Sequence, residues 1–279
     1  VGLAFAAKLT SIPIIQVSRL QGLLVKTLVD AEEGCMMTRL HDGHGCMADT
    51  IDLRQSPCLG DSSQSQRLIG LTGGIGMGKT TVSDYLATQH HLPILDADLF
   101  ARAAVEPKSA IVATLVERYG SGILQADGSL NRLRLGNIVF NSPPERLWLE
   151  QQIHPFVRDR FIASLTQPPL SQPEAAPIVV LVVPLLFEAR MTDLVNEIWV
   201  VTCPLAVQLE RLMQRDRLTL EQAQKRIDSQ MPIQRKLVHA DVVLTNASTP
   251  EALFQQIDRA LMQPVTGRSA LLQFIKKKS

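Results

Sequence analysis

From residue 67 onward, apolar positions fall into two alternating textures. Short continuous runs read as strands: Leu68-Ile-Gly-Leu71, Pro93-Ile-Leu95, Ile178-Val-Val-Leu-Val-Val183, Ile198-Trp-Val-Val-Thr202 and Asp241-Val-Val-Leu-Thr245. The β-branched run at 178–183 has the texture of a strand covered on both faces. Between the runs, apolar residues recur at helical spacing. Val82 and Leu86, with Tyr85 beside them, mark one helix; Leu147, Leu149, Ile153, Val157 and Phe161 carry another toward Leu165. Ser142-Pro-Pro-Glu145 opens that second helix, with Ser142 as cap, Pro143 in the first turn and Glu145 three positions after the cap. Three more helices are predicted over 204–216, 219–230 and 249–262, and the four prolines between Gln167 and Pro177 make a loop. Strands alternating with helices imply an α/β protein built on a parallel five-stranded sheet. A helical insertion separates Asp98 from Gln167.

Before residue 67 the pattern dissolves. Leu20 to Val29 has the texture of a short helix, and Gly60-Asp-Ser-Ser-Gln-Ser-Gln66 reads as a linker. Residues 1–66 are therefore expected to be a poorly ordered extension, or sequence upstream of the true start. Cys35, His41, His44, Cys46 and Cys58 are candidate zinc ligands, but no closely spaced cysteine pair occurs among them. Residues 263–279 form a basic tail ending in Lys276, Lys277 and Lys278.

Composition narrows the function classes. The 279 residues are 46% hydrophobic and 20% charged, which permits a sizeable core and excludes wholesale disorder. Basic and acidic residues number 28 and 27, a balance that argues against a nucleic-acid scaffold. No apolar run reaches the roughly 20 residues of a membrane helix. Four cysteines in so long a chain do not make a disulfide framework. The expectation is a cytoplasmic protein, monomer or small homo-oligomer, working without nucleic acid or membrane.

The strand at 68–71 runs into Thr72-Gly-Gly-Ile-Gly-Met-Gly-Lys-Thr-Thr81. Gly73, Gly78, Lys79 and Thr80 match G-x-x-x-x-G-K-[ST] between a strand and a helix, the context a phosphate-binding loop requires. Glycines let successive backbone N–H groups turn inward toward phosphate oxygens, and the helix that follows offers its unpaired N–H groups to the same anion. Gly73, Gly74, Gly76, Met77, Gly78, Lys79, Thr80 and Thr81 are the expected ATP-binding segment. Lys79 reaches the β- and γ-phosphates, and the Thr80 hydroxyl ligates Mg²⁺. One strand later stand Asp96 and Asp98, at the strand end where open α/β sheets gather ligands. If the segment is extended, both carboxylates point the same way. One then takes the proton of an attacking hydroxyl while the other helps to hold the metal; alternatively, Asp98 merely caps a helix starting at Leu99. No aspartate follows the strand at 178–183, where many phosphate-loop enzymes keep a metal-holding carboxylate. Asp96 or Asp98 must therefore supply the acidic side of the Mg²⁺ site.

Taken together, the loop and Asp96-Ala-Asp-Leu-Phe-Ala-Arg102 resemble the dephospho-CoA kinase family. Asp127-Gly-Ser-Leu-Asn-Arg132, Ile153-His-Pro155, Val183-Pro-Leu-Leu-Phe-Glu188 and Gln208-x-x-Arg211-x-x-x-Arg215-Asp216 follow in that family's order, with Arg226, Gln230 and Ala240-Asp241 beyond them. The resemblance spans about 67–262. It implies a P-loop kinase fold with an acceptor-binding helical region near 99–166 and a helical lid near 204–232. The implied reaction moves the γ-phosphoryl of ATP to the ribose 3′-hydroxyl of dephospho-CoA, with Asp98 as the catalytic carboxylate. Arg211 and Arg215, four apart on one helix face, are expected over ATP, with Arg215 the stronger candidate. Arg102 and Arg132 are candidates for the acceptor's existing phosphates. His154 is expected to contact the acceptor rather than to act as base, and Cys203 to be inert packing. Two rivals share the loop. One is a kinase of another small hydroxylated metabolite; the other is a nucleotide-binding switch, which would need an Asn-Lys-x-Asp guanine motif that this chain lacks.

Overall fold

In the computed structural model of the chain, residues 66–264 are described. The helix expected at Leu20–Val29, the zinc candidates and the basic tail from 265 onward lie outside the described residues.

Five strands, β1 (Arg67–Gly73), β2 (Ile94–Asp96), β3 (Ile178–Val182), β4 (Glu197–Thr202) and β5 (Val242–Thr245), form one sheet in the order β2-β3-β1-β4-β5. Every neighbouring pair is parallel. The helices are α1 (Lys79–Gln89), α2 (Ala97–Ala103), α3 (Ala110–Tyr119), α4 (Arg132–Asn141), α5 (Pro143–Leu165), α6 (Leu205–Asp216), α7 (Leu220–Asp228), α8 (Ile233–Leu237) and α9 (Pro250–Met262).

The two-residue period of the strands sorts the core into layers. Leu68, Val179, Leu181, Ile198 and Val200 pack with α2 to α5 through Ala101, Leu115, Leu135, Leu149, Ile153 and Phe161. Ile69, Leu71, Val180, Val182, Trp199 and Val201 face the other way, onto Val82 and Leu86 of α1 and Leu253 and Ile257 of α9. The central strands are buried on both sides, as their unbroken apolar runs require. At the amino edge of the sheet, the Arg67 guanidinium donates to both oxygens of Glu197 and to the carbonyls of Ala260 and Leu261. That cluster ties the end of α9 to β1 and β4.

Three expectations change. Gln66, read as linker, is buried and donates to the carbonyls of Leu170 and Ala176, so the folded unit includes it. Ser142 stands at the cap of α5 but makes no capping hydrogen bond. Glu145 is instead taken by Arg118 and Tyr119 of α3, which outcompete the local cap. Asp96-Ala-Asp98 is not extended throughout. The chain turns helical at Ala97, and Asp96, not Asp98, is the cap, its carboxylate accepting the Asp98 N–H at 2.7 Å.

Candidate active site

Because every strand is parallel, the carboxyl ends of all five lie at one edge, and the loops leaving that edge build the site. Residues 74–78 connect β1 to α1. Gly73 has φ +150°, and a Cβ there would stand 2.4 Å from the Val201 carbonyl oxygen of β4. Gly78 has φ +99°, and its Cβ would fall 2.1 Å from the Asn246 amide nitrogen. Both positions demand glycine, for conformation and for space.

Three buried amides hold the loop from outside. Gln230, beyond α7, accepts the Ile75 N–H at 2.8 Å, and Gln208 of α6 donates to the Ile75 carbonyl at 2.7 Å. Asn246, just past β5, donates to the Met77 carbonyl at 3.1 Å. Lys79, at the start of α1, donates to the carbonyls of Gly73 and Gly74 at 3.0 and 2.8 Å, spanning the loop it belongs to. Thr80 and Thr81 follow in the first turn and are exposed.

The two arginines expected over ATP occupy different places. Arg211 reaches the Asn246 side-chain oxygen at 3.3 Å, next to the loop, and its second terminal nitrogen is buried without a hydrogen-bond partner. Arg215 is half exposed and turns to Asp216 instead. Asp216 also pairs with Arg226 of α7, and these arginines hold its carboxyl below the usual range, Arg215 most strongly. Of the pair, Arg211 is the one joined to the phosphate loop.

Asp98 opens onto a cavity between α2, α5 and the segment after β3. Its walls include Ala101, Leu149, Ile153, Val157, Pro184 and Met191. His154 lines the same cavity, with Glu150 and Arg146 one and two turns before it on α5. Burial pushes the His154 imidazole toward its neutral form, against an upward pull from Glu188. Arg102, in the last turn of α2, and Arg132, at the start of α4, lie outside that lining. Desolvation lowers Arg132, and the charge of Arg102 lowers it further, so the two guanidiniums crowd one region. Cys203 is buried, and desolvation raises its thiol, which suits packing and not reactivity.

β1 and β2 are separated by β3, so Lys79 and Asp98 leave strands two spacings, roughly 10 Å, apart. For a divalent metal, the expected residues would offer hard oxygens: the Thr80 hydroxyl and the carboxylates of Asp96 and Asp98, one Asp96 oxygen also accepting the Asp98 N–H. Among the described residues no three His, Cys, Asp or Glu side chains gather. So sparse a set suits Mg²⁺, which keeps waters and substrate phosphates as most of its ligands. No helix among the described residues is long and apolar enough to cross a membrane.

Gln208 and Gln230 carried the family resemblance but were not expected to hold the loop; Asn246 and Glu150 went unremarked. Their common signal is a polar side chain beside a run that the fold buries.

The family model described as Dephospho-CoA kinase matches residues 67–251. A dephospho-CoA kinase of Trichormus variabilis (strain ATCC 29413 / PCC 7937) is 55% identical over 197 residues, covering 71% of this chain and 97% of its own. That of Synechococcus elongatus is 50% identical over 204 residues, covering 73% and 95%. Among solved structures, a Thermus thermophilus protein superposes with TM-score 0.59 at 30% identity, covering 71% of this chain and 99% of its own. A dephospho-CoA kinase from Campylobacter jejuni gives TM-score 0.54 at 25% identity over 71% and 96%.

Proposed function

The chain belongs to the dephospho-CoA kinase family, which carries out the final step of coenzyme A synthesis, and from that premise we propose how its residues divide the work. ATP binds with its phosphates in the 73–81 loop, in the cytoplasm, and Lys79 leaves the loop carbonyls to reach the β- and γ-phosphates. Thr80 and Asp98 would hold Mg²⁺, which when bound neutralises charge on the phosphate oxygens. Asp98 orients the ribose 3′-hydroxyl of dephospho-CoA and accepts its proton as the oxygen attacks the γ-phosphorus. Asp96 keeps Asp98 in place, because its carboxylate fixes the first turn of α2 on which Asp98 stands.

Arg211 meets the charge that spreads over the transferring phosphoryl group, with Arg215 closing over the nucleotide from the same helix. Residues near 204–232 act as the lid. Its closure excludes water, so that the acceptor hydroxyl and not solvent receives the phosphoryl group. Arg102 and Arg132 bind the acceptor's pyrophosphate, which would relieve the repulsion between them. His154 contacts the acceptor as a neutral imidazole.

The observation that carries this reading is the position of Asp98: on the wall of a cavity, at the sheet edge that also bears the phosphate loop. The test is an acceptor panel. With ATP and Mg²⁺, dephospho-CoA should be converted to a product phosphorylated at the ribose 3′-oxygen, while shikimate and simple nucleosides give only background. Equal turnover of an unrelated hydroxylated metabolite would overturn the reading.

A further inference from the structure

Arg146, Glu150 and His154 follow one another at four-residue intervals along α5 and line the same cavity as Asp98. Most of the remaining wall is apolar. On it, Glu150 stands out: one of its carboxylate oxygens is buried and has no hydrogen-bond partner. Such a group is expensive to keep unless something supplies a donor. Arg146, one turn away, does not reach that oxygen, and the neighbouring side chains named above as wall are hydrocarbon. Burial accordingly pushes the Glu150 carboxyl up, against the pull of Arg146.

We propose that this cavity is the subsite for the purine base of the acceptor nucleotide, and that the Glu150 carboxyl accepts a hydrogen bond from the base's 6-amino group. The inference rests on the functional reading above, in which Asp98 receives the 3′-hydroxyl. A ribose placed there carries its base only one sugar ring away, and the cavity is the space that continues from Asp98. An apolar slot with a few convergent polar groups suits a flat heterocycle. It does not suit a pyrophosphate, which would lose its hydration against Leu149, Ile153 and Val157. The pyrophosphate is matched instead by Arg102 and Arg132, outside the lining. The donor that the orphaned oxygen lacks is the one an amino-substituted purine brings, and an unsubstituted purine does not.

The experiment compares dephospho-CoA with an acceptor carrying unsubstituted purine in place of adenine, in the wild type and in Glu150→Leu and Glu150→Gln. In the wild type, loss of the amino group should raise the acceptor KM roughly ten- to a hundredfold, the worth of a hydrogen bond to a charged or buried group. Glu150→Leu should raise the KM for dephospho-CoA by a similar factor, leave the KM for ATP unchanged, and no longer distinguish the two acceptors. Glu150→Gln keeps an acceptor oxygen and should recover most of the loss. ADP affinity serves as the folding control. A wild type that uses both acceptors equally overturns the subsite, and this arm needs no variant to fold. So does a Glu150→Leu enzyme with an unchanged acceptor KM, or one whose ATP and acceptor KM rise together. A wild type inactive on dephospho-CoA overturns the functional reading itself, and the subsite with it.

Discussion

Replacing Lys236 with methionine removes a charge that has no access to solvent. Its side chain is 0% exposed, and its ammonium donates to the Pro184 carbonyl at 3.0 Å and pairs with Glu188 at 2.9 Å. Burial drives the ammonium toward its neutral form while Glu188 opposes the shift. Methionine fills nearly the same volume, so the change isolates the charge and its hydrogen bonds. What remains is Glu188, 11% exposed, with only the long 3.3 Å bond from the Met231 N–H to satisfy it. Breaking one side of a buried pair costs about 3–5 kcal/mol. The Met231 bond and slight exposure of Glu188 put this case near the lower end, about 3 kcal/mol. For a folded unit of this size, that lowers Tm by roughly 6–12 °C. Urea unfolding followed by circular dichroism measures it. Adding Glu188→Gln should restore part of the loss, since the orphaned charge is then gone. A single-variant cost below about 1 kcal/mol, or a double variant whose costs simply add, would refute the claim that Lys236 and Glu188 are coupled in a dry environment.

Two further perturbations probe the loop and the helical region. Gly78→Ala forces a side chain into a left-handed conformation and against Asn246; ATP affinity should fall by at least tenfold in calorimetry, and retained affinity would contradict the tight seating of the loop. Glu145, held down to about 2 chiefly by its hydrogen bonds from Arg118 and also by Tyr119, gives stability that is full above its unfolded pKa of 4.5 and lost as pH falls toward 2. Glu145→Gln should therefore be less stable than wild type at pH 7 and indistinguishable near pH 2. A stability difference independent of pH would mean that the ion pair is not its source.

Much of the fold was legible because strand and helix announce themselves by different periods. The unbroken apolar run at 178–183 required cover on both faces, and the structure supplies it with separate helical layers. The phosphate loop was legible for a different reason: Gly73 and Gly78 tolerate no Cβ, so geometry writes itself into residue type. Less legible were contacts chosen by tertiary competition. Glu145 reads as half of a capping box until α3 brings Arg118 and Tyr119 to it. Asp96 and Asp98 look interchangeable in sequence; only the turn from β2 into α2 makes one a cap and leaves the other on the cavity wall. Arg211 and Arg215 share a helix face, and which one meets the loop depends on Asn246, which lies 35 residues from Arg211 in the chain. Partnerships over such separations leave no local period to read.

The central claim, that Asp98 is the carboxylate through which the acceptor hydroxyl is activated, is tested most directly by Asp98→Asn. Asparagine keeps the shape and removes the base. Single-turnover transfer from ATP to dephospho-CoA should slow by roughly 10²–10⁴-fold, the usual worth of a positioned base, while ATP affinity measured without Mg²⁺ stays at the wild-type value. Wild-type transfer in the variant, or a loss matched by equal loss of ATP binding, would contradict the account.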